Sequence, residues 1–440
     1  MYDDHAVPAE VLAASTAGLF DNGTTTTAIT PLQAYGASYI RNSNVLRLPS
    51  GRWQYLPAGR TEPVTVEADD PGALRQIAES RAWLKLGTVP GVPGPQRDAA
   101  ARALLSMRAL LQPNGASTAA WHSIWKYSWP RDSSFVSAAF AHTGHSREAY
   151  QILTYNAATQ RADGTWEART KLDGSGPPDG REWQLDGNGW VPWATWQWYQ
   201  TAPLDDRQAR LSSLYPMIQR AADYAAGSLD AAGLPPASPD YWELGTETAN
   251  IGTAAPLLSG LNSAVDLANA LGRSDDAARW TIAADRLSTA ISKHFAPLGY
   301  QRTVDGLHGF DSAAAFMAPP FNDAPADLPA ALDTTYHALV RPNGGVVPGN
   351  DPDFDWGDVT WTPSTSFFAL AWAGLAETGK AQAALDWLLS KRNLLGELPE
   401  LVDGNGNPAS TVPLAWTASL LLLILIQLQT HSIKTPPPAH

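Results

Sequence analysis

Cysteine is absent from the 440 residues, which removes disulfides, thiolate catalysis and Cys-ligated metals together and leaves the redox compartment open. Dense basic clusters are absent too. Lys and Arg number 30 against 43 Asp and Glu, a net charge of −13, so the electrostatic footprint of a nucleic-acid binder is missing and an anionic partner is repelled. No apolar run is long enough for a membrane: Leu420 to Ile426, the most apolar stretch, falls short of the roughly 20 residues a spanning helix needs. Gln427 and Gln429 interrupt its end, and it reads as a buried helix. The acidic start, Met1-Tyr2-Asp3-Asp4-His5, has no apolar signal core behind it, so the expected location is cytoplasmic. GxSxG, HExxH, P-loop and dinucleotide fingerprints are all missing, and serine-hydrolase and nucleotide readings lose their anchors. Asp403-Gly404-Asn405-Gly406-Asn407 opens like a calcium loop, but Pro408 stands where that loop needs Gly and Leu414 where it needs Glu. It reads as a Gly-rich turn, and no metal or other cofactor is expected.

What the chain has in excess is tryptophan, 18 residues, several-fold above ordinary usage. Three large aromatics run into a charged pair in Trp125-Lys126-Tyr127-Ser128-Trp129-Pro130-Arg131-Asp132. Flat apolar rings suit the C–H faces of a pyranose, while Arg and Asp donate to and accept from its hydroxyls. The stretch therefore reads as a sugar-binding floor. Asp132 reads equally as the N-cap of a helix beginning at Ser133, and the two functions are compatible.

Residues 1–95 are rich in β-branched residues, aromatics, Gly and Pro, with strand candidates at 24–30, 38–48, 52–56 and 63–67, one helix at 72–86 and a linker at 87–95. Residues 96–440 change to helical spacing, with candidates at 98–112, 133–144, 146–160, 189–201, 207–229, 250–271, 273–295, 310–317, 327–340, 363–378, 380–394 and 413–429. Helices 207–229 and 273–295 have one apolar face, whereas 250–271 and 413–429 are apolar nearly all round. Two concentric layers follow, the second kind inside the first.

Carboxylates in the aromatic, Gly- and Pro-rich loops of this region are the equipment of glycoside hydrolysis, which needs one protonated acid and one carboxylate on the opposite face. Asp240-Tyr241-Trp242-Glu243 sets a carboxyl beside two rings, where desolvation raises its pKa. Gly396-Glu397-Leu398-Pro399-Glu400 forms a second acidic cluster before the last helix, and 183–189 and 353–358 add aromatic and polar groups.

Taken in order, Tyr127-Ser128-Trp129-Pro130-Arg131-Asp132, Gln184-Leu185-Asp186-Gly187, Trp242-Glu243, Leu398-Pro399-Glu400 and Pro413-Leu414-Ala415-Trp416 resemble glycoside hydrolase family 15, the glucoamylases and their relatives, over residues 97–430. The resemblance implies an all-α main domain, an (α/α)6 barrel, with a small β-rich N-terminal appendage, and inversion at the anomeric carbon. It puts the general acid on Glu243 and the general base on Glu400. It assigns substrate binding to Tyr127, Trp129, Arg131, Asp132, Trp183, Asp186, Trp242, Trp361 and Trp416, with Trp183 and Trp361 placed by neighbourhood. Two leaving-group features of the fungal enzymes are missing: Leu244 stands where a second acid follows the general acid, and the loop at Gly349-Asn350-Asp351-Pro352 lacks an Arg.

With no starch-binding module in view, the expected activity is exo-acting release of β-glucose from short α-gluco-oligosaccharides, isomaltose-type links slightly ahead of malto-oligosaccharides. A trehalase, an inverting disaccharide phosphorylase and a non-catalytic sugar-binding protein are the alternatives. The expected partner is a small oligosaccharide, with neither nucleic acid nor membrane, and oligomeric state is left open. An inverting pair stands roughly 6.5–9.5 Å apart, and a high-titrating acid with an ionised base predicts a bell-shaped pH profile with an acidic optimum.

Overall fold

A computed structural model describes residues 16–439; the acidic start lies outside them. The N-terminal part is β-rich as expected. Strands β1 (Gly18–Asp21) and β2 (Thr26–Ile29) form an antiparallel hairpin with Gly18 opposite Ile29, and β3 (Ser38–Tyr39), β4 (Leu46–Arg47), β5 (Trp53–Tyr55) and β6 (Val64–Val66) form an antiparallel sheet in chain order. Phe20, Ile29, Leu46 and Leu56 pack together, and Leu395 joins them from far along the chain. The short helix α1 (Pro31–Ala34) is held by a capping box between Thr30 and Gln33. The next helix, α2 (Pro71–Leu84), starts where Asp70 accepts from the Ala73 N–H and Pro71 takes the first helical position.

From residue 95 the chain alternates between two rings. The outer ring is α3 (Pro95–Leu110), α5 (Ser146–Thr159), α7 (Leu204–Ser228), α9 (Ser274–His294), α10 (Leu328–Leu339) and α12 (Thr378–Ser390). The inner ring is α4 (Pro130–His142), α6 (Gly187–Thr201), α8 (Ile251–Ala270), a short 3-10 helix Ser312–Met317, α11 (Thr362–Gly374) and α13 (Ala415–Thr430). Each inner element packs on the next, and α13 closes on α4. This is the expected (α/α)6 barrel.

Composition sorts the rings. In α9 the buried residues Ala277, Trp280, Ala283, Ala284, Leu287, Ala290 and Ile291 recur at helical spacing, leaving the charged face to solvent. In α13 every residue from Ala415 to Gln427 is buried, so the apolar run at 420–426 is core. Among the described residues no helix is long and apolar enough to cross a membrane. Inner helices also need small residues where they touch. A Cβ on Gly260 of α8 falls 2.5 Å from the Cα of Gly189 in α6, so both must stay glycine for the helices to meet.

Two boundaries differ from the sequence expectation. The helix expected at Ser133 begins at Pro130, because proline's fixed φ suits the first helical position; Trp129 holds the cap position and Asp132 sits inside the first turn, so Asp132 is not the cap. The element expected over 310–317 is a single 3-10 segment, ended by Pro319-Pro320.

Beyond α13 the chain runs back across the barrel. Ile433 is buried, Gln197 Nε2 donates to the Lys434 carbonyl at 3.0 Å, and the Ala439 N–H donates to Asn262 at 3.2 Å.

Candidate active site

The N-terminal turns of the inner helices and the loops leading into them enclose a cavity of about 510 Å³. Glu243 and Glu400 both line it, with Arg131, Asp132, Trp129, Trp242, Trp361 and Trp416. Five separate stretches of sequence are thus brought to one place.

Glu243 lies on the loop between α7 and α8. Its backbone φ is +60°, a region non-glycine residues rarely occupy. The turn is fixed from below: the Trp242 N–H donates to the Asp240 carboxylate at 2.9 Å, and the Glu243 N–H donates to the Asp240 carbonyl at 2.8 Å. The Arg302 guanidinium lies 3.5 Å from the centre of the Trp242 ring and 3.6 Å from the Asp240 carboxylate. Trp129 donates its indole N–H to Glu243 Oε1 at 2.5 Å, Arg131 Nη2 stands 3.8 Å from the same oxygen, and Arg181 Nη1 meets Oε2.

Glu400 precedes β8 (Leu401–Val402), which pairs with β7 (Thr360–Trp361) and β9 (Pro408–Ala409). Its N–H donates to Thr411 and its carbonyl accepts from the Thr362 N–H, both at 3.0 Å, so strand and helix α11 hold it from two sides. The Trp125 indole donates to Oε1 at 3.2 Å and the Ser410 hydroxyl to Oε2. Burial raises the Glu400 pKa, opposed by those two hydrogen bonds. The turn at Asp403 is a β8–β9 hairpin in which the Asp403 carboxylate accepts from the Asn405 and Asn407 N–H groups at 3.0 and 2.8 Å, as the turn reading expects.

Glu397, in the same acidic cluster, has a different task. It is buried, pairs with Arg102 at 3.2 Å, accepts from Ser106 at 2.6 Å and reaches Tyr39 of β3 at 3.4 Å, tying the loop of Glu400 to the N-terminal sheet. Glu397→Ala leaves Arg102 as an uncompensated buried charge and is expected to cost roughly 3–5 kcal/mol. Denaturant unfolding checks this, with Glu400→Ala, which uncovers no such charge, expected to stay near the parent.

Arg131 is almost fully buried, donating from Nη1 to Asp186 at 2.7 Å and Gln184 at 2.9 Å, with Trp416 beside it at 5.3 Å. Asp132 is also buried. Burial lifts its pKa to about 6 against the pull of Arg131, with Asp186 and Glu400 pushing the same way as burial.

Three expected binding residues are outside the cavity lining. Asp186 stands behind Arg131 and orients it. Tyr127 packs beside Trp129 with the Arg169 guanidinium 4.9 Å from its ring centre. Trp183 packs edge-on against Tyr224 of α7, 5.9 Å between ring centres. Residues not singled out from the sequence also line the cavity: Trp125, Arg169, Arg181, Trp356 and Ser410. Trp125 and Trp356 lay in aromatic stretches already noted, but the two arginines and the serine sit in loops with no local pattern to mark them. One group with ligand spacing for a cation, His308, Asp351 and Asp353, lies outside the lining, and His308 Nδ1 is already 2.7 Å from Asp351.

If Glu400 and Asp132 work as anions, the upward shift of both, Asp132 to about 6, moves the acid limb of activity above the ordinary carboxylate range. Ser410→Ala removes a donor to the ionised Glu400, raises its pKa further and moves the acid limb of kcat/KM to higher pH. Initial rates from pH 4 to 8 check the direction.

Fold and cavity together define a glucoamylase-like helical barrel with a carboxylate-lined site. No protein-family model matches the chain. Among curated proteins it is similar to an uncharacterized glycosyl hydrolase of Methanocaldococcus jannaschii, 24% identical over 352 residues. That match covers 74% of this chain and 55% of the relative, so the chain spans about half the relative's length. Among solved structures it resembles a glycosidase variant in complex with glucose, TM-score 0.66 and 19% identity, covering 77% of this chain and 99% of that one. It also resembles a bacterial glucoamylase complexed with acarbose, TM-score 0.63 and 15% identity, over 86% of this chain and 64% of that one.

Proposed function

We propose that the protein is a glycoside hydrolase of the family 15 type, an exo-acting, inverting enzyme that releases β-glucose from the non-reducing end of short α-gluco-oligosaccharides. One observation carries the reading: Glu243 and Glu400 face one cavity, each held by a tryptophan indole N–H, with Arg131 and Asp132 between aromatic walls. Arg131 and Asp132 take the hydroxyls of the terminal glucose and the rings take its C–H faces. Glu243 gives its proton to the glycosidic oxygen as that bond breaks. Glu400 takes a proton from the water that forms the new bond to the anomeric carbon. Solvent then resets both groups.

The M. jannaschii relative's description and the glucose- and acarbose-bound neighbours support the substrate class. Isomaltose-type links are placed ahead of malto-oligosaccharides, with trehalose as the nearest rival. An inverting phosphorylase is disfavoured by the groups around Glu400: Trp125 and Ser410 are neutral and Asp132 is acidic, a poor receptor for phosphate. Isomaltose, maltose, trehalose and dextran offered at equal concentration, with and without phosphate, test the reading. The expected result is glucose from isomaltose without phosphate. Absolute phosphate dependence, or sugar binding with no product after long incubation, contradicts it.

A further inference from the structure

The two indoles that hold Glu243 and Glu400 come from one short stretch. Trp125 ends a 3-10 turn, Ser123–Trp125, and donates to Glu400 Oε1 at 3.2 Å, while Trp129 donates to Glu243 Oε1 at 2.5 Å. Between them the chain is irregular. Its backbone is tied to Ala119 and Ala120 and, through a pair of bonds between Ser128 and Thr170 at 3.0 and 2.8 Å, to the loop after α5.

Arg169, next to Thr170, reaches along the whole stretch. Its Nη1 donates at 2.7 Å to the carbonyl of Ile124, the residue before Trp125, and its guanidinium carbon lies 4.9 Å from the Tyr127 ring centre and 5.1 Å from the Trp129 ring centre. Arg169 is 5% exposed, and its ion pair is with Asp179 rather than with Glu243 or Glu400. It therefore touches the supports of both carboxylates and neither carboxylate itself. The task suits a guanidinium, whose planar fork donates in two directions while its faces lie against aromatic rings.

We propose that Arg169 is a positioning residue for both halves of the reaction: by holding the Ile124 carbonyl and the Trp129 ring it fixes the two indole N–H groups, and through them Glu400 and Glu243. The inference rests on the hydrolase reading and deepens it. A loosened indole donates less well to an ionised carboxylate, so release of the clamp moves both limbs of the pH profile to higher pH. The charged and titratable groups around the pair are Arg131 and Arg181 at Glu243, Asp132 near Glu400, Asp179 on Arg169, and His122 against the Trp125 ring, its pKa lowered by burial.

The test measures kcat and KM against pH for the parent, Arg169→Lys, Arg169→Met and Glu400→Gln, on isomaltose or whichever disaccharide the panel favours. Arg169→Lys keeps the charge but not the fork, so it separates clamp from charge, and it gives the readout if Arg169→Met fails to fold. In both Arg169 variants kcat is expected to fall roughly 10–100-fold, the cost of a small misplacement of reacting groups, with KM close to the parent's. Both limbs of kcat/KM should move up together, by no more than about 1–2 units, the worth of one hydrogen bond to a charged group. Trp125→Phe combined with Trp129→Phe removes both indole N–H groups, and in that background Arg169→Lys is expected to cost little more, because its route to the carboxylates is already gone. Parental limbs in Arg169→Lys, a raised KM with kcat unchanged, or the full loss repeated in the double-Phe background overturns the proposal. Glu400→Gln separates the two levels: if it keeps parental turnover, the hydrolase reading falls and takes this inference with it. If it is inactive while Arg169→Lys keeps both limbs, only the role of Arg169 falls.

Discussion

Glu400→Gln is expected to lower kcat by roughly 10²–10⁴-fold while leaving substrate affinity close to the parent's. A carboxamide oxygen in this position still accepts from Trp125 or Ser410, and the backbone bonds to Thr411 and Thr362 do not involve the side chain. The loop therefore keeps its shape. What is lost is the capacity to take a proton from the attacking water, a deficit confined to the transition state, so kcat carries it and KM does not. The loss corresponds to about 3–5 kcal/mol of barrier. Steady-state kinetics with a bound-glucose titration distinguishes this from a binding defect; near-normal turnover means that Glu400 is not the base.

Glu243→Gln is expected to be as damaging for a disaccharide but much less so for α-glucosyl fluoride. A sugar alkoxide is a poor leaving group and needs the proton of Glu243 as the bond breaks, whereas fluoride departs with little help. The amide still accepts from Trp129, so positioning survives. Initial rates on both substrates give a ratio, and the ratio is the informative quantity. A uniform loss places Glu243 in binding or folding rather than proton transfer.

How much of this was legible from the chain depends on whether the signal is local. The apolarity of α13 and the stripe along α9 are properties of single helices, so their places inside and outside the barrel follow from the residues alone. Strand β1 has no signature in the sequence, because Gly18-Leu19-Phe20-Asp21 is too short to show alternation and is defined by its partner β2. Helix α4 starts three residues before the expected Ser133, because Pro130 reads in sequence as a breaker as readily as a first helical residue.

The site divides in the same way. Trp129, Arg131, Asp132, Trp242, Glu243 and Glu400 stand in compact motifs and line one cavity. Glu397 and Glu400 are three residues apart with the same chemistry, and only long-range contacts separate them: Arg102 and Ser106 of α3 bury one, while Trp125 and Ser410 present the other to the cavity. Arg181 reaches Glu243 across 62 positions from an irregular loop, and no periodicity or spacing could have announced it. Trp183 is the converse case: it stands close in sequence to Asp186, and its ring packs on Tyr224 of the outer ring, outside the cavity lining.

The central claim, that Glu243 and Glu400 act as an acid and a water-activating base on opposite faces of the sugar, is tested most directly by the configuration of the first glucose released. Proton NMR of the reaction in its first minutes, before mutarotation equilibrates the anomers, reads it without reference to rates or variants. Water activated by Glu400 attacks from the face opposite the leaving group, so the account predicts β-glucose from an α-linked disaccharide. α-Glucose appearing first contradicts it.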